Sequence, residues 1–336
     1  MAFFWNGAVI KWNGKEEEML RKERVESTEL KILKSLGARV QLDVPDAKQL
    51  DILLKGWKGE EEFDRWVNTI DEEWHILNDL LLNHQGTIFQ VDSLIFSGTT
   101  LYLFEIKNYQ GDFYIQGDAW YTFSGNEIKN PILQLKRTEN LMRQLLKEHA
   151  FDVRIEANLI FVNPEFCLFQ APRNLPIILP GQMPRFREKM LNQTSPIKHS
   201  HSNLAKKLVS LHMKEDPFPR NYYYPYEQLE KGLVCPQCKE FYHTVKHSLV
   251  VCELCGGRET LEDAVVGAVE EITMLFPRRT ITTPLLIDWC RIIKDRRTIQ
   301  RVLKKHYDFK GRGKYARYTN RGNTQSPSGQ PTPLKV

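Results

Sequence analysis

Asp92, Glu105 and Lys107 are the residues whose types and spacing most invite chemistry. They lie in two segments, 87–96 and 100–108, rich in β-branched and aromatic residues and separated by Ser97-Gly98-Thr99-Thr100. A two-residue loop at Gly98-Thr99 and a four-residue loop over 97–100 set the same register, with Asp92 directly opposite Glu105. Opposed residues of an antiparallel pair have Cβ atoms about 4.5–5.5 Å apart, and like charges there repel. Burying such a pair calls for a cation. Lys107, two residues past Glu105, projects from the same face at the end of a stripe made by Leu101 and Leu103. Paired carboxylates hold Mg2+ or Mn2+, hard cations that favour oxygen ligands. Such a metal polarises a phosphodiester and acidifies a bound water, while a lysine orients that water or offsets developing charge. Spacing alone equally describes a surface ion pair on a hairpin.

Cys235-x2-Cys238-x13-Cys252-x2-Cys255 has the knuckle spacing of a four-cysteine zinc site. Glycines follow at Gly256-Gly257, and segments 241–245 and 249–251 read as the two strands of a zinc ribbon. Four sulfurs close the shell, so the Zn2+ would be structural; redox cysteines are the alternative. His243 and His247 read as ribbon surface, and Cys167 and Cys290 as small core residues. Zinc ribbons bind nucleic acid or protein partners, and the fold does not say which.

The net charge of +5 hides a split. Residues 278–336 hold 15 Lys/Arg against three acids, leaving 32 basic and 39 acidic residues elsewhere. Thr283-Pro284 predicts a helix running to Ile293, with a capping threonine and proline in its first turn. Asp295 caps a second helix in which Ile299, Val302 and Leu303 face inward and Arg297, Arg301, Lys304 and Lys305 outward. The glycine-punctuated run 310–318, with Arg312 and Lys314, has the pattern of a β-wing. Two short helices and a basic wing suggest a small winged-helix-like module that binds nucleic acid through phosphates. A helical hairpin docked on the protein itself, or a solvated lysine-rich surface, fits the same pattern.

The elements that must position these groups follow from periodicity. Residues 14–36 read as a charged helix with Leu20, Val25, Leu30, Ile32, Leu33 and Leu36 as its apolar contacts. Gly56-Trp-Lys-Gly59 opens a second helix, in which Phe63, Trp66, Val67 and Ile70 form the buried stripe. Glu60 lies three residues before Phe63 on that face, where an acid in a first turn is also stabilised by the macrodipole alone. A hairpin over 112–123 bends near Gly117, Asn130-Pro131 starts a helix to His149, and 157–162 is a buried strand. The fold class is therefore α/β, a mixed sheet flanked by helices, with a four-cysteine zinc ribbon and the basic module appended. We divide the chain into a helical lead-in (1–50), the mixed domain (51–180), a helical linker (181–231), the ribbon (232–260), the basic module (261–319) and a disordered tail (320–336). With 41% hydrophobic and 26% charged residues, no long apolar run and no secretory pattern, we expect a cytoplasmic protein without a membrane partner.

The ordered set Gly56-x-x-Gly59-Glu60, Asp92, Glu105-Ile-Lys107 and Gln134 resembles the nuclease-related domain (NERD) family of the PD-(D/E)xK nuclease superfamily, over roughly residues 50–175. Asp92 follows Val91 here, where restriction enzymes of that superfamily carry a proline. By that resemblance Asp92 and Glu105 are the main ligands of Mg2+ or Mn2+, Glu60 adds a metal contact or holds a water, and Lys107 is the catalytic lysine. Gln134 would position lysine or substrate, and Lys136 or Arg137 would reach a phosphate. The resemblance implies a metal-dependent nuclease acting on DNA. The alternative is a non-catalytic nucleic-acid-binding or adaptor protein on a nuclease-like scaffold.

Overall fold

The computed structural model describes residues 2–5, 8–11, 19–70, 74–97, 99–193, 199–312 and 315–321 of the 336-residue chain, with side chains from residue 20 onward. It divides into two compact units, one of residues 1–27 and 48–220, the other of residues 28–47 and 221–336. No helix among the described residues is long and apolar enough to cross a membrane.

Strands β1 (Ala2–Trp5), β2 (Ala8–Lys11) and β3 (Met19–Lys22) precede helices α1 (Thr28–Gly37) and α2 (Val44–Val67). Then come β4 (His75–His84), β5 (Thr87–Ser97), β6 (Thr100–Lys107), β7 (Gly111–Gln116), β8 (Ala119–Thr122) and β9 (Glu127–Ile128). Helix α3 (Pro131–Glu148), strands β10 (Arg154–Phe161), β11 (Phe166–Phe169) and β12 (Ile177–Ile178), and helices α4 (Met183–Asn192) and α5 (His199–Leu211) complete the first unit, whereas α1 and the start of α2 up to Ala47 belong to the second.

Its main sheet has the order β1-β2-β3-β4-β5-β6-β10-β12. The β4-β5-β6 meander is antiparallel, whereas β10 runs parallel to β6. A parallel neighbour requires a crossover, and α3 provides it. Helices cover both faces. Leu135, Met142 and Leu145 of α3 and Leu204 and Leu208 of α5 pack in one core with Leu94, Phe96, Leu101 and Leu103. Phe63 and Val67 of α2 and Met190 of α4 pack in another with Ile95, Tyr102, Phe104 and Ile106. The alternation along β6 thus sends its odd residues toward α3 and its even residues toward α2.

Three expectations need correction in this unit. Residues 19–22 are strand, not helix: Leu20 is fully buried, its amide donates to His75 Nδ1 at 3.0 Å, and Val25 is exposed. Residues 14–18 lie outside the described residues. Helix α2 begins at Val44, with Asp46 N donating to Asp43 Oδ1 at 2.9 Å, so Gly56 and Gly59 sit mid-helix and no macrodipole acts on Glu60. Cys167 is exposed on β11, because the alternation that buries Phe166 turns it outward.

The second unit contains β13 (Thr244–Lys246), β14 (Leu249–Val251) and β15 (Arg258–Thr260), then α6 (Leu261–Leu275), α7 (Thr283–Cys290) and α8 (Arg296–His306). Strands β16 (Tyr307–Lys310) and β17 (Arg317–Asn320) form an antiparallel hairpin. Asn320, the first residue of the expected tail, closes β17, and residues 322–336 of that tail lie outside the described residues. The ribbon gains a third strand, and α6 adds a helix to the expected pair. The cap of α7 is Thr282, whose hydroxyl accepts from Leu285 N at 3.3 Å, and Arg291 at φ 54° stops that helix short of Ile293. Arg39, from the segment after α1, is buried here: it donates to Glu271 at 2.9 and 2.6 Å and to the Glu230 and Gly232 carbonyls. Its guanidinium lies 4.2 Å from the Trp289 ring centroid.

Candidate functional site

The β5–β6 ladder has the expected register, pairing Ser97 with Thr100 and Ser93 with Phe104. The next step would oppose Asp92 and Glu105, and there the ladder ends. Ile106 N donates instead to Asp92 Oδ2 at 2.8 Å, so the carboxylate takes the place of a strand carbonyl. The β4–β5 ladder is interrupted at the same level: Asn78 pairs with Ser93 and Leu80 with Val91, while Asp79 adopts φ 53°. Carbonyls freed by the gap are taken by cations, a response dictated by the cost of a buried unpaired oxygen. Lys22 Nζ binds the Asn78 and Asp79 carbonyls at 2.8 and 2.9 Å, and Arg24 Nη2 binds that of Asp92 at 2.9 Å.

Lys107 Nζ lies 2.6 Å from Glu105 Oε1 and 3.2 Å from Gln134 Oε1. Gln134 is delivered by α3, whose start is fixed by Pro131 in the first turn and by Asn130 Oδ1 accepting from Ile132 N at 2.9 Å. The end of β6 is braced by Asn108, which donates to Lys55 O of α2 at 2.8 Å and accepts from Asn163 Nδ2 at 3.1 Å. Gly59 makes that approach possible, because a Cβ there would stand 2.5 Å from the Asn108 Cβ. Lys136 and Arg137 are exposed on the same helix as Gln134.

Glu105 is 2% exposed, and Asp92 is buried too. Burial, reinforced by the charge of Asp92, pushes the Glu105 carboxyl up to about 7. Burial also raises Asp92, against the pull of the Ile106 amide and of Lys107. For Lys107 burial acts downward, but the Glu105 charge and hydrogen bond outweigh it and hold the ammonium above its ordinary range. One lysine therefore faces two buried acids that resist ionising together.

Glu60 is placed differently. Its Oε2 lies 3.1 Å from Arg24 Nη1, and Arg24 also grips Asp64 at 3.1 and 3.4 Å. Burial, opposed by Arg24, raises the Glu60 carboxyl to about 7. Among the described residues, Glu60, Asp92 and Glu105 do not gather ligand oxygens as tightly as the cysteine quartet gathers sulfurs, all within 4.8 Å. Asp92, Glu105, Lys107 and Gln134 come together; Glu60 is held back by an arginine that sequence reasoning missed. The one available signal was chemical: Glu60 and Asp64 stand one helical turn apart, and two acids on one partly buried stripe need a cation.

In the second unit, Cys235 and Cys255 sulfurs are 3.7 Å apart and those of Cys238 and Cys252 3.4 Å. Tetrahedral zinc–thiolate bonds of about 2.3 Å imply sulfur–sulfur edges of roughly 3.8 Å, so the four cysteines could hold such an ion. His243 and His247 are exposed. On α8, Arg297, Arg301, Lys304 and Lys305 all face solvent, with Lys305 paired to Glu262 at 2.6 Å. Arg312 is exposed in the loop after β16; Lys314 lies outside the described residues.

No curated protein and no solved structure gives a significant match to the chain. A family model does: that of the nuclease-related domain, NERD, over residues 55–162. The match runs from the middle of α2 to the end of β10 and so spans Glu60, the two buried acids, Lys107 and Gln134. The strand-end cluster therefore lies inside the stretch of this chain that matches the nuclease-related domain.

Proposed function

We propose that this protein is a metal-dependent nuclease that hydrolyses phosphodiester bonds, with DNA as its substrate. The observation that carries the proposal is the buried Asp92–Glu105 pair beside Lys107 at the end of β6, inside the matched region. The donors suit a hard divalent cation: all are carboxylate oxygens, and one ammonium is the sole side-chain cation in contact with Glu105 among the described residues. Asp92 and Glu105 would hold Mg2+ or Mn2+, which when bound supplies Lewis-acid polarisation and an acidified water.

This chain's own residues do the rest. Lys107 donates hydrogen bonds toward a phosphate oxygen or water from a position fixed by Glu105 and Gln134. The Ile106 amide orients the Asp92 carboxylate, and Asn108 and Gly59 keep the strand end against α2. In the second unit, Cys235, Cys238, Cys252 and Cys255 would hold a structural Zn2+, and Arg297, Arg301, Lys304 and Arg312 would contact backbone phosphates.

A second reading has its own observation. The Arg24–Glu60 ion pair and the absence of a tight three-carboxylate set among the described residues favour a nucleic-acid-binding or adaptor protein that does not cleave. Labelled DNA and RNA, single- and double-stranded, incubated with Mg2+, Mn2+ or EDTA, separate the two. The nuclease proposal expects metal-dependent cleavage that Asp92→Ala, Glu105→Ala and Lys107→Ala each reduce by about 100-fold or more while binding persists. Equal cleavage by wild type and all three variants would overturn it.

A further inference from the structure

We infer that Arg24 is a resident counter-ion that withdraws Glu60 from the metal site, leaving a two-carboxylate centre of Asp92 and Glu105; this rests on the metal-binding reading above. Arg24 lies just past β3, outside the matched residues 55–162. The cation is therefore contributed from outside the region that defines the domain.

Arg24's side chain is 3% exposed. Its Nε and Nη2 grip the Asp64 carboxylate at 3.1 and 3.4 Å, and Nη2 also binds the Asp92 carbonyl at 2.9 Å. Asp64 is held from the other side by Asn78 Nδ2 at 3.2 Å, and Asn78 by the Ser93 hydroxyl at 2.7 Å. The guanidinium thus spans helix α2 and strand β5 at the point where the ladder is interrupted. Its remaining nitrogen, Nη1, stands 3.1 Å from Glu60 Oε2 yet makes no directed hydrogen bond among the described residues. Glu60 is therefore retained by charge, whereas Asp64 and the Asp92 carbonyl hold the arginine in place.

Geometry separates the two sets of acids. Asp92 Oδ2 is aimed at the Ile106 amide and Glu105 Oε1 at Lys107, while Glu60 Oε2 is aimed at Arg24. A guanidinium within about 4 Å of a carboxylate satisfies the charge that a divalent cation would otherwise claim. With Arg24 in place, Glu60 contributes neither a ligand nor uncompensated charge. With Arg24 removed, Glu60 becomes a third acid one ion pair away from the site. Arg24 is thus a positioning residue whose effect passes through Glu60.

Direct Mn2+ titration of the full-length, zinc-loaded protein, by calorimetry or electron paramagnetic resonance, tests this as a double-mutant cycle. Glu60→Gln should change Mn2+ Kd less than about twofold in the wild-type background, and by about tenfold or more in the Arg24→Met background. Equal effects of Glu60→Gln in both backgrounds would mean that Arg24 does not govern Glu60's access to the metal, and would overturn the inference. If Arg24→Met does not fold, Glu60→Gln alone decides. Loss of Mn2+ affinity as large as that of Asp92→Asn makes Glu60 a ligand and sinks the proposal, and an unchanged affinity supports it. Insensitivity of Mn2+ binding to both Asp92→Asn and Glu105→Gln is a different failure, which removes the metal site itself and this inference with it.

Discussion

The Ile106 amide donates to the Asp92 carboxylate at 2.8 Å, where the β5–β6 ladder would otherwise bring Asp92 opposite Glu105. A side chain has taken over the hydrogen bond of a strand, and the exchange gives the acid both a fixed direction and a structural duty. Two backbone interruptions make it possible: the end of one ladder and the left-handed Asp79 in the other.

Asp92 should therefore be costly to remove for reasons separate from catalysis. Asp92→Ala leaves the Ile106 N–H buried without a partner, which costs about 1–3 kcal/mol. Asp92→Asn can still accept that bond, so it should cost less stability while losing cleavage equally. Urea denaturation of the two variants distinguishes them; equal destabilisation would show that the amide is satisfied elsewhere.

Stability of the metal-free protein should fall as pH rises through neutrality. Glu60 and Glu105 have folded-state values raised to about 7, above their unfolded values. An acid raised in this way contributes stability that is complete below its unfolded value, about 4.3, and is lost as pH climbs through the folded value. Melting temperature should thus drop between about pH 5 and about pH 8, and Mn2+ should restore it most at the alkaline end. A flat profile, or one insensitive to Mn2+, contradicts the assignment.

The two helical glycines of α2 should respond oppositely to one substitution. Gly59→Ala places a Cβ 2.5 Å from that of Asn108, and overpacking of this kind costs roughly 1–3 kcal/mol. Gly56 faces open space, so Gly56→Ala should stabilise by roughly 0.5–1 kcal/mol through helix propensity. Thermal melts settle both signs. Gly59→Ala should also lower cleavage, because Asn108 directly follows Lys107.

Metal removal should act on the second unit. Chelation, or Cys252→Ser, should strip hydrogen-exchange protection from Leu249–Val251, since bound zinc stabilises such sites by about 10–16 kcal/mol. Protection in β4, β5 and β6 should persist. Loss of both together would mean that the two units unfold as one.

Phosphate binding by α8 predicts a salt signature. Replacing Arg297, Arg301 and Lys304 with alanine should reduce the slope of log affinity against log salt by about 0.9 for each phosphate no longer neutralised on duplex DNA. An unchanged slope would return this face to the status of solvated surface.

Much of the site was legible from a single sequence because β-hairpin register is local. A short loop at Gly98-Thr99 is enough to oppose Asp92 and Glu105, and alternation is enough to add Lys107. Asn130 and Pro131 announced α3 and with it Gln134 for the same reason. What escaped was non-local. Arg21 and Lys22 read as helix because part of their strand character comes from pairing with Ile76 and Leu77 of β4, more than 50 residues away, while β2 supplies the other edge. Helix α2 lost its first turns to Pro45, which reads as a break although its first-turn position suits proline. The acids Glu60 and Asp64 call for a cation, but nothing near Arg24 in the sequence marks it as the one on which they and the Asp92 carbonyl converge.

The division of the chain has an evolutionary consequence. Residues 28–47 belong with 221–336, and the boundary falls within α2, between Ala47 and Lys48. A single recombination breakpoint near residue 220 would transplant the cysteine ribbon without Arg39, leaving Glu271 and the Trp289 face unanswered. The ribbon unit is therefore encoded in two separated stretches, and an end-to-end gene fusion at residue 220 would carry only the second of them.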